Sequence, residues 1–152
     1  RSALAKQPLA ARRQKPLYIV SEILDSENVA HAKTAGSDEV IETTRLGFSL
    51  LAHALTMPGT AAIMSEVAVP GAHELYVGAV PPEVASPATF AAIAKGVKEA
   101  RNGLVIGLRD LASGKDLLNP PAETLVTSEH RLIYLAVGPV LAPRVDEDAA
   151  EA

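Results

Sequence analysis

The sequence predicts a parallel α/β unit over residues 1–59 and a smaller α+β unit over residues 60–141, followed by an acidic tail, residues 142–152. Three observations predict it. "LYIVSEILDSENVAHAKTAGSDEVIE", residues 17–42, reads as strand, helix and strand, with connections so short that the crossover must be parallel and right-handed. "RLGFSLLAHALTM", residues 45–57, carries an apolar arc wider than one packing surface needs. From about residue 60 short, partly alternating runs surround one amphipathic helix, which suits a mostly antiparallel sheet.

Each element has its own grounds. Residues 1–16 read as a basic helix interrupted near Pro8 and ended by Pro16. Leu17-Tyr18-Ile19-Val20 is a continuous apolar run, as in a parallel strand covered on both faces. Asp25 or Ser26 can cap the helix that follows, and Gly36 is placed to end it. "DEVIE" is the second strand. Thr43 or Thr44 can cap the next helix, where Leu46, Leu50, Ala54 and Met57 share one face and Phe48, Leu51 and Leu55 its flank. Pro58-Gly59 turns the chain. "IMSEVAVP" and "HELYVGAV" read as strands. Ser86 as N-cap and Pro87 at the first helical position open the amphipathic helix of Phe90, Ile93, Val97 and Ala100. "LVIGLR" is a strand, "DLASGKD" a turn, "LLNPP" a loop and "RLIYLAV" the last strand. The tail "VDEDAAEA" has the composition of a disordered segment.

Composition removes several classes of function. Net charge is −4, and three Tyr and two Phe are too few for a stacking platform, so nucleic acid is not an expected partner. With no cysteine, disulfides, thiolate metal sites and Cys nucleophiles are excluded, and the chain suits a reducing cytosol. No run approaches the ~18 apolar residues of a membrane span, and no signal peptide is seen. The chain starts at Arg1, which suggests a piece of something longer.

Few residues suggest chemistry. Glu22 stands at the carboxyl end of the first strand, where open α/β sheets hold ligands; otherwise it pairs with a nearby Arg or Lys. Asp25 and Glu27 either join Glu22 around a hard cation or serve the helix as cap and dipole partner. Asn119, in "NPP", belongs to a rigid turn or to the rim of a ligand site. His31, His53, His73 and His130 have no metal-pair spacing. G-x-S-x-G, Walker and dinucleotide fingerprints are all missing, so the chain does not read as an enzyme and names no cofactor.

The strand, "SENVAHAKTAGSDEVI" and the broad helix resemble the second half of the Rossmann-like subdomain of RCK domains, the regulators of potassium conductance. "GLVIGLRDLASGKDLLNPPAETLVTSEHRLIYLAV" resembles their C-terminal subdomain. The resemblance spans roughly residues 1–138 and is weak over 72–103. It implies a partial Rossmann-like sheet with crossover helices, the glycine-rich loop lying upstream of this chain. It implies a cytosolic, ligand-sensing module at the inner face of the cell membrane, pairing with itself and assembling into a ring that gates a potassium channel pore. The effector is then a small molecule or ion. Leu46, Leu50, Leu51 and Ala54 become a dimer interface, and Glu22, Asp25 and Asn119 ligand-binding positions, with Glu22 a metal ligand. Calcium-gated members carry two carboxylates two residues apart on this strand; Glu22 matches the first, and Leu24 stands at the second. The alternatives are a regulatory subunit of a potassium transporter and a degenerate Rossmann-type nucleotide-binding enzyme domain.

Overall fold

A computed structural model describes residues 17–69, 71–84 and 87–142. The helix expected over residues 1–16, the Ser86 cap and residues 143–152 of the tail lie outside them. The chain divides into two units, one ending at Ile63 and one starting at Met64.

In the first unit β1 (Val20–Ile23) leads through a 3-10 turn (Ser26–Asn28) into α1 (Val29–Thr34). Then come β2 (Glu39–Glu42) and α2 (Thr43–Thr56). β1 and β2 pair in parallel, with Glu22 opposite Ile41 and Ile23 opposite Glu42. The strand starts later than the apolar run suggested, because Ile19 is tied to the loop before β2. Its N–H donates to Asp38 Oδ2 at 2.8 Å, and its carbonyl accepts from the amides of Asp38 and Glu39. Nor is the strand covered on both faces: Val20 is 52% exposed. Asp25 does cap the turn, accepting from Glu27 N at 3.3 Å. Gly36, at φ 102°, ends α1: Ser37 N reaches Ala32 O and Gly36 N reaches Lys33 O. Neither Thr43 nor Thr44 caps α2. Glu42 holds that position, and the Thr43 hydroxyl is spent on Glu22.

The segment expected as the strand "IMSEVAVP" is a helix, α3 (Thr60–Ala68), which runs from the first unit into the second. Its apolar residues repeat four apart, Ile63 with Val67 and Met64 with Ala68, and this spacing outweighs the partial alternation.

The second unit holds β3 (Glu74–Ala79), β4 (Ala88–Thr89), α4 (Phe90–Arg101), β5 (Leu104–Asp110), β6 (Asp116–Leu118), β7 (Leu125–Val126) and β8 (His130–Ala136). Four strands form an antiparallel sheet in the order β3-β8-β5-β6, and β4 pairs with β7. The expected loop "LLNPP" therefore begins inside β6, and β4 and β7 are too short to leave a sequence signal. α4 starts at Phe90, not Pro87, because Thr89 Oγ1 accepts from Ala92 N at 3.3 Å and makes the cap. Its far end closes on Asn102 in the left-handed region, φ 54°.

One face of the sheet makes the core. Phe90, Ile93 and Val97 of α4 pack on Val105 and Leu108 of β5 and on Leu132, Tyr134 and Ala136 of β8, with Val126 and Leu141 at the margins. Tyr134 is 1% exposed, and its ring stacks on Tyr76 at 5.6 Å between centroids. Its hydroxyl oxygen accepts from the amides of Val140 and Leu141 at 3.1 and 3.3 Å.

Beside the turn that joins β5 to β6, Arg109 grips Asp116 through Nε and Nη2 at 2.6 and 2.8 Å. Those bonds hold the Asp116 carboxyl below its ordinary pKa. The Ser113 amide and hydroxyl, 2.6 and 2.9 Å from Oδ1, do the same for Asp110. Because both folded values are lowered, this stability is complete above the ordinary carboxylate pKa of about 3.9 and is lost as pH falls through the folded values.

Two outcomes follow. Tyr134→Phe leaves two backbone N–H groups without their acceptor and should cost about 1–3 kcal/mol in urea unfolding. The urea midpoint should fall as pH is lowered from about 6 to 3, and fall less in the Asp110→Asn, Asp116→Asn double variant.

Candidate functional site

The carboxyl ends of β1 and β2 bring together Glu22, Ser26, Glu42, Thr43 and Arg45. Glu22 Oε1 accepts from the Thr43 hydroxyl at 2.8 Å, which ties the middle of β1 to the first residue of α2. Glu42 Oε2 accepts from the Ser26 hydroxyl at 2.6 Å, and its Oε1 lies 3.7 Å from Arg45 Nη1. Parallel register explains the pairing of roles. Glu42 stands opposite Ile23, one step beyond Glu22, so each carboxylate faces the hydroxyl of the connection that follows the other strand. Asp25 turns inward to its own 3-10 turn. Thus Glu22 and Asp25 share one end of the sheet, while their hydrogen bonds go to different partners. Among the described residues no three His, Asp or Glu side chains converge as a metal site.

Beside these carboxylates an open cleft of about 450 Å³ is lined by Leu24, Ser26, Thr44, Arg45, Phe48, Ser49 and Ala52. It offers one cation and three hydroxyls on an otherwise apolar wall, with Leu24 and Phe48 at 70% and 68% exposure. Such a wall suits a small anionic or amphipathic ligand better than a bare cation. Sequence reasoning missed Thr44, Arg45, Phe48 and Ser49. The only signal was that Phe48 sits off the main apolar stripe of its helix.

Asn119 belongs to the second unit. It follows β6 with φ 47°, and its N–H donates to Ile106 O at 2.8 Å. Ile106 is the extra residue of a bulge against β8 between Val105 and Gly107, and on the side of β6 its bond to Asn119 continues the β5–β6 register by one position. A left-handed backbone at this point accounts for an Asn there. His130 also has a structural setting: its Nδ1 accepts from Thr127 N at 3.2 Å, with the Thr127 hydroxyl at 3.1 Å.

The interface residues divide by exposure. Leu50 and Ala54 are half-buried, whereas Leu46 and Leu51 are more than half exposed and Leu55 is almost fully so. No described residue of the first unit, from 17 to 63, is buried. Among the described residues no helix is long and apolar enough to cross a membrane.

No protein-family model matches the sequence, and no curated protein matches it. Solved structures do. A structure described as the human SLO3 gating ring aligns over 82% of this chain and 28% of its own, at 16% identity and a TM-score of 0.65. The GsuK RCK domain aligns over 80% of this chain and 25% of its own, at 24% identity and a TM-score of 0.44. A GsuK channel bound to NAD aligns over 86% and 22%, at 22% identity and the same score. At such identities the likeness is one of fold, and the gating-ring alignment carries it. The chain has an RCK-domain-like fold: a partial parallel sheet with crossover helices, then a smaller β-rich unit. It spans about a quarter of the length of those solved chains.

If Asn119 is there for its backbone, Asn119→Gly should unfold within about 0.5 kcal/mol of the parent, whereas Asn119→Val should lose about 1–2 kcal/mol. Thermal and urea unfolding of the pair would separate a turn residue from one kept only for a ligand.

Proposed function

We propose that this chain is a ligand-sensing regulatory module that gates a potassium channel through self-association. One observation carries the reading: in an RCK-like fold, the whole described first unit has no buried residue, while α2 exposes Leu46, Phe48, Leu51 and Leu55. Burying one such side chain is worth about 1.5–3 kcal/mol, so four of them outweigh the ordering cost of a modest interface. The occupant of this face is a second copy, with Leu46, Leu50, Leu51 and Ala54 at its centre. Residues 1–59 act as the partial Rossmann-like part and 60–141 as the C-terminal subdomain, and pairs assemble into a ring at the cytoplasmic side of the membrane.

The effector site of this reading is the end of β1, at Glu22 and Asp25, with the neighbouring cleft. A ligand or ion that takes Glu22 competes with the Thr43 hydroxyl and thereby acts on the first turn of α2, the pairing helix. Asn119 is the position that the second unit contributes to ligand sensing. Ligand binding shifts the population of ring conformations, and the differential affinity for the two states sets how far.

The test is the solution mass of the purified chain by light scattering across concentration. A dimer is expected. Leu51→Glu, at an exposed position, should convert it to monomer without loss of helix by circular dichroism. A monomer at every concentration would overturn the self-association reading.

A further inference from the structure

Two turns meet at one end of the second unit's sheet. One joins β5 to β6 between Asp110 and Asp116, and the other joins β7 to β8 through Thr127 and His130. Leu111 N–H donates to Glu129 O at 2.9 Å between them. Asp110 stands opposite His130 in the register of β5 against β8. His130 is half-buried at this junction.

The second turn is closed twice by the same pair of residues. His130 N–H donates to Thr127 O at 3.1 Å, and Thr127 N–H donates back to His130 Nδ1 at 3.2 Å. A ring nitrogen that accepts from an amide carries no proton, so neutral His130 keeps its one N–H on Nε2. The Thr127 hydroxyl lies 3.1 Å from the same Nδ1 and itself accepts from Glu129 N at 3.3 Å. A hydroxyl oxygen has two lone pairs, so it has room for one more donor.

Protonation therefore exchanges one bond for another. An imidazolium is a donor at both nitrogens. Its Nδ1–H then meets the Thr127 N–H, and that bond is lost. The same Nδ1–H finds an acceptor in Thr127 Oγ1, already within reach. The new charge is answered from the opposite strand by Asp110. That carboxyl is held below its ordinary pKa first by the Ser113 amide and hydroxyl, and last by attraction to His130.

The other charges around the ring have their own places. Glu129 and Arg131 flank it in sequence, and Arg131 Nη1 donates to His130 O at 3.1 Å. Arg109 stands opposite Arg131 and holds Asp116. Lys115 enters through its backbone, its carbonyl accepting from Asp110 N at 2.9 Å. β3 stops at Ala79, opposite Arg131, and the Ala79 N–H goes outward to Ala142 O at 3.0 Å. β7 brings only Leu125 and Val126, which do not titrate.

We propose that His130 is a proton-operated clasp: neutral, it closes the β7–β8 turn on the Thr127 amide, and protonated, it turns to the Thr127 hydroxyl and Asp110 and lets that amide go. The released amide follows Val126, a core residue in β7. β7 pairs with β4, whose Thr89 caps α4, and Phe90 N–H donates to Thr124 O at 2.8 Å just ahead of β7. Acid thus loosens the end of the segment on which the first turn of α4 is fastened.

The test is an NMR titration of the full chain between about pH 8 and about pH 5, the range in which histidines change charge. At the alkaline end the His130 ring should show a bare Nδ1 and a protonated Nε2. As the ring gains its second proton, the Thr127 amide should move upfield with the same midpoint. Its protection from exchange, corrected for the intrinsic effect of pH, should fall about 2–10-fold, as for one ordinary hydrogen bond. In His130→Asn, whose Oδ1 can stand where Nδ1 stood and does not titrate, the Thr127 amide should hold its shift throughout. A neutral His130 that carries its proton on Nδ1 would overturn the proposal. So would a Thr127 amide indifferent to the titration of His130, or one that moves equally in His130→Asn, which would assign the response to Asp110 or Glu129. The ring tautomer and the shared midpoint are read on the parent chain, so they decide even where the variant does not fold.

Discussion

The hydroxyl of Tyr134 accepts two amides from the segment that follows its own strand, and much of the second unit is arranged by that choice. Tyr134 lies in β8, the strand paired on both sides within the four-stranded sheet. Its ring meets Tyr76 on one neighbour, and its strand partner on the other is Val105. With the ring buried, the hydroxyl needs partners, and the amides of Val140 and Leu141 need an acceptor. Meeting both needs at once brings the chain back across β8 and lays it along β3. Arg101 at the end of α4 secures the same segment, donating to Val140 O at 3.0 Å. The exit point of the tail beside Ala79 is thus fixed by a core residue.

The first unit is built on a different balance. A parallel pair of strands ordinarily lies under helices on both faces, and a sheet of two strands buries too little to stand by itself. Here polar bonds fix the geometry that packing leaves open. Glu22 to Thr43, Ser26 to Glu42 and Ser21 to Ser37 at 2.6 Å each join a strand or its following turn to the next element. Such bonds set register but contribute modestly at an exposed site. The stability of this unit therefore depends on what covers its apolar surface, and the self-association proposed above would couple association to folding in it.

Sequence reading recovered what periodicity and punctuation encode. The parallel crossover, Gly36 as a helix end, the amphipathic α4 and the strands β3, β5 and β8 all follow from apolar spacing and turn residues. It failed where a second partner decides. "IMSEVAVP" is as compatible with a period of two as with one near four, and its helix becomes apparent only in the folded chain. Thr43 has the chemistry of a cap, and only the register of β1 against β2 shows that its hydroxyl is claimed by Glu22. The cross-strand row Ala79, Arg131, Arg109 and Asp116 draws on β3, β8 and the β5–β6 hairpin, three separate stretches of sequence, so no local pattern announces it. The bulge at Ile106 adds a further shift that alternation does not predict, and without it Arg109 would not face Arg131.

On the proposed reading, a sensor built on this end of the parallel sheet needs little motion. Glu22 is half of a hydrogen bond whose other half starts α2, the helix proposed to pair. A hydrogen bond to a charged acceptor contributes up to about 1.5–3 kcal/mol, and less at an exposed site. Coupling between allosteric sites is typically about 1–3 kcal/mol. The two scales overlap, so in the proposed module loss of this one bond to a competing ligand is sufficient in energy to alter how α2 meets its partner. The direction of the effect follows from the geometry. A ligand that replaces the Thr43 hydroxyl frees the first turn of α2 from β1, while one that leaves the bond in place and fills the cleft beside Phe48 holds the helix where it is. Two ligands at neighbouring points of the same site would then act with opposite sign.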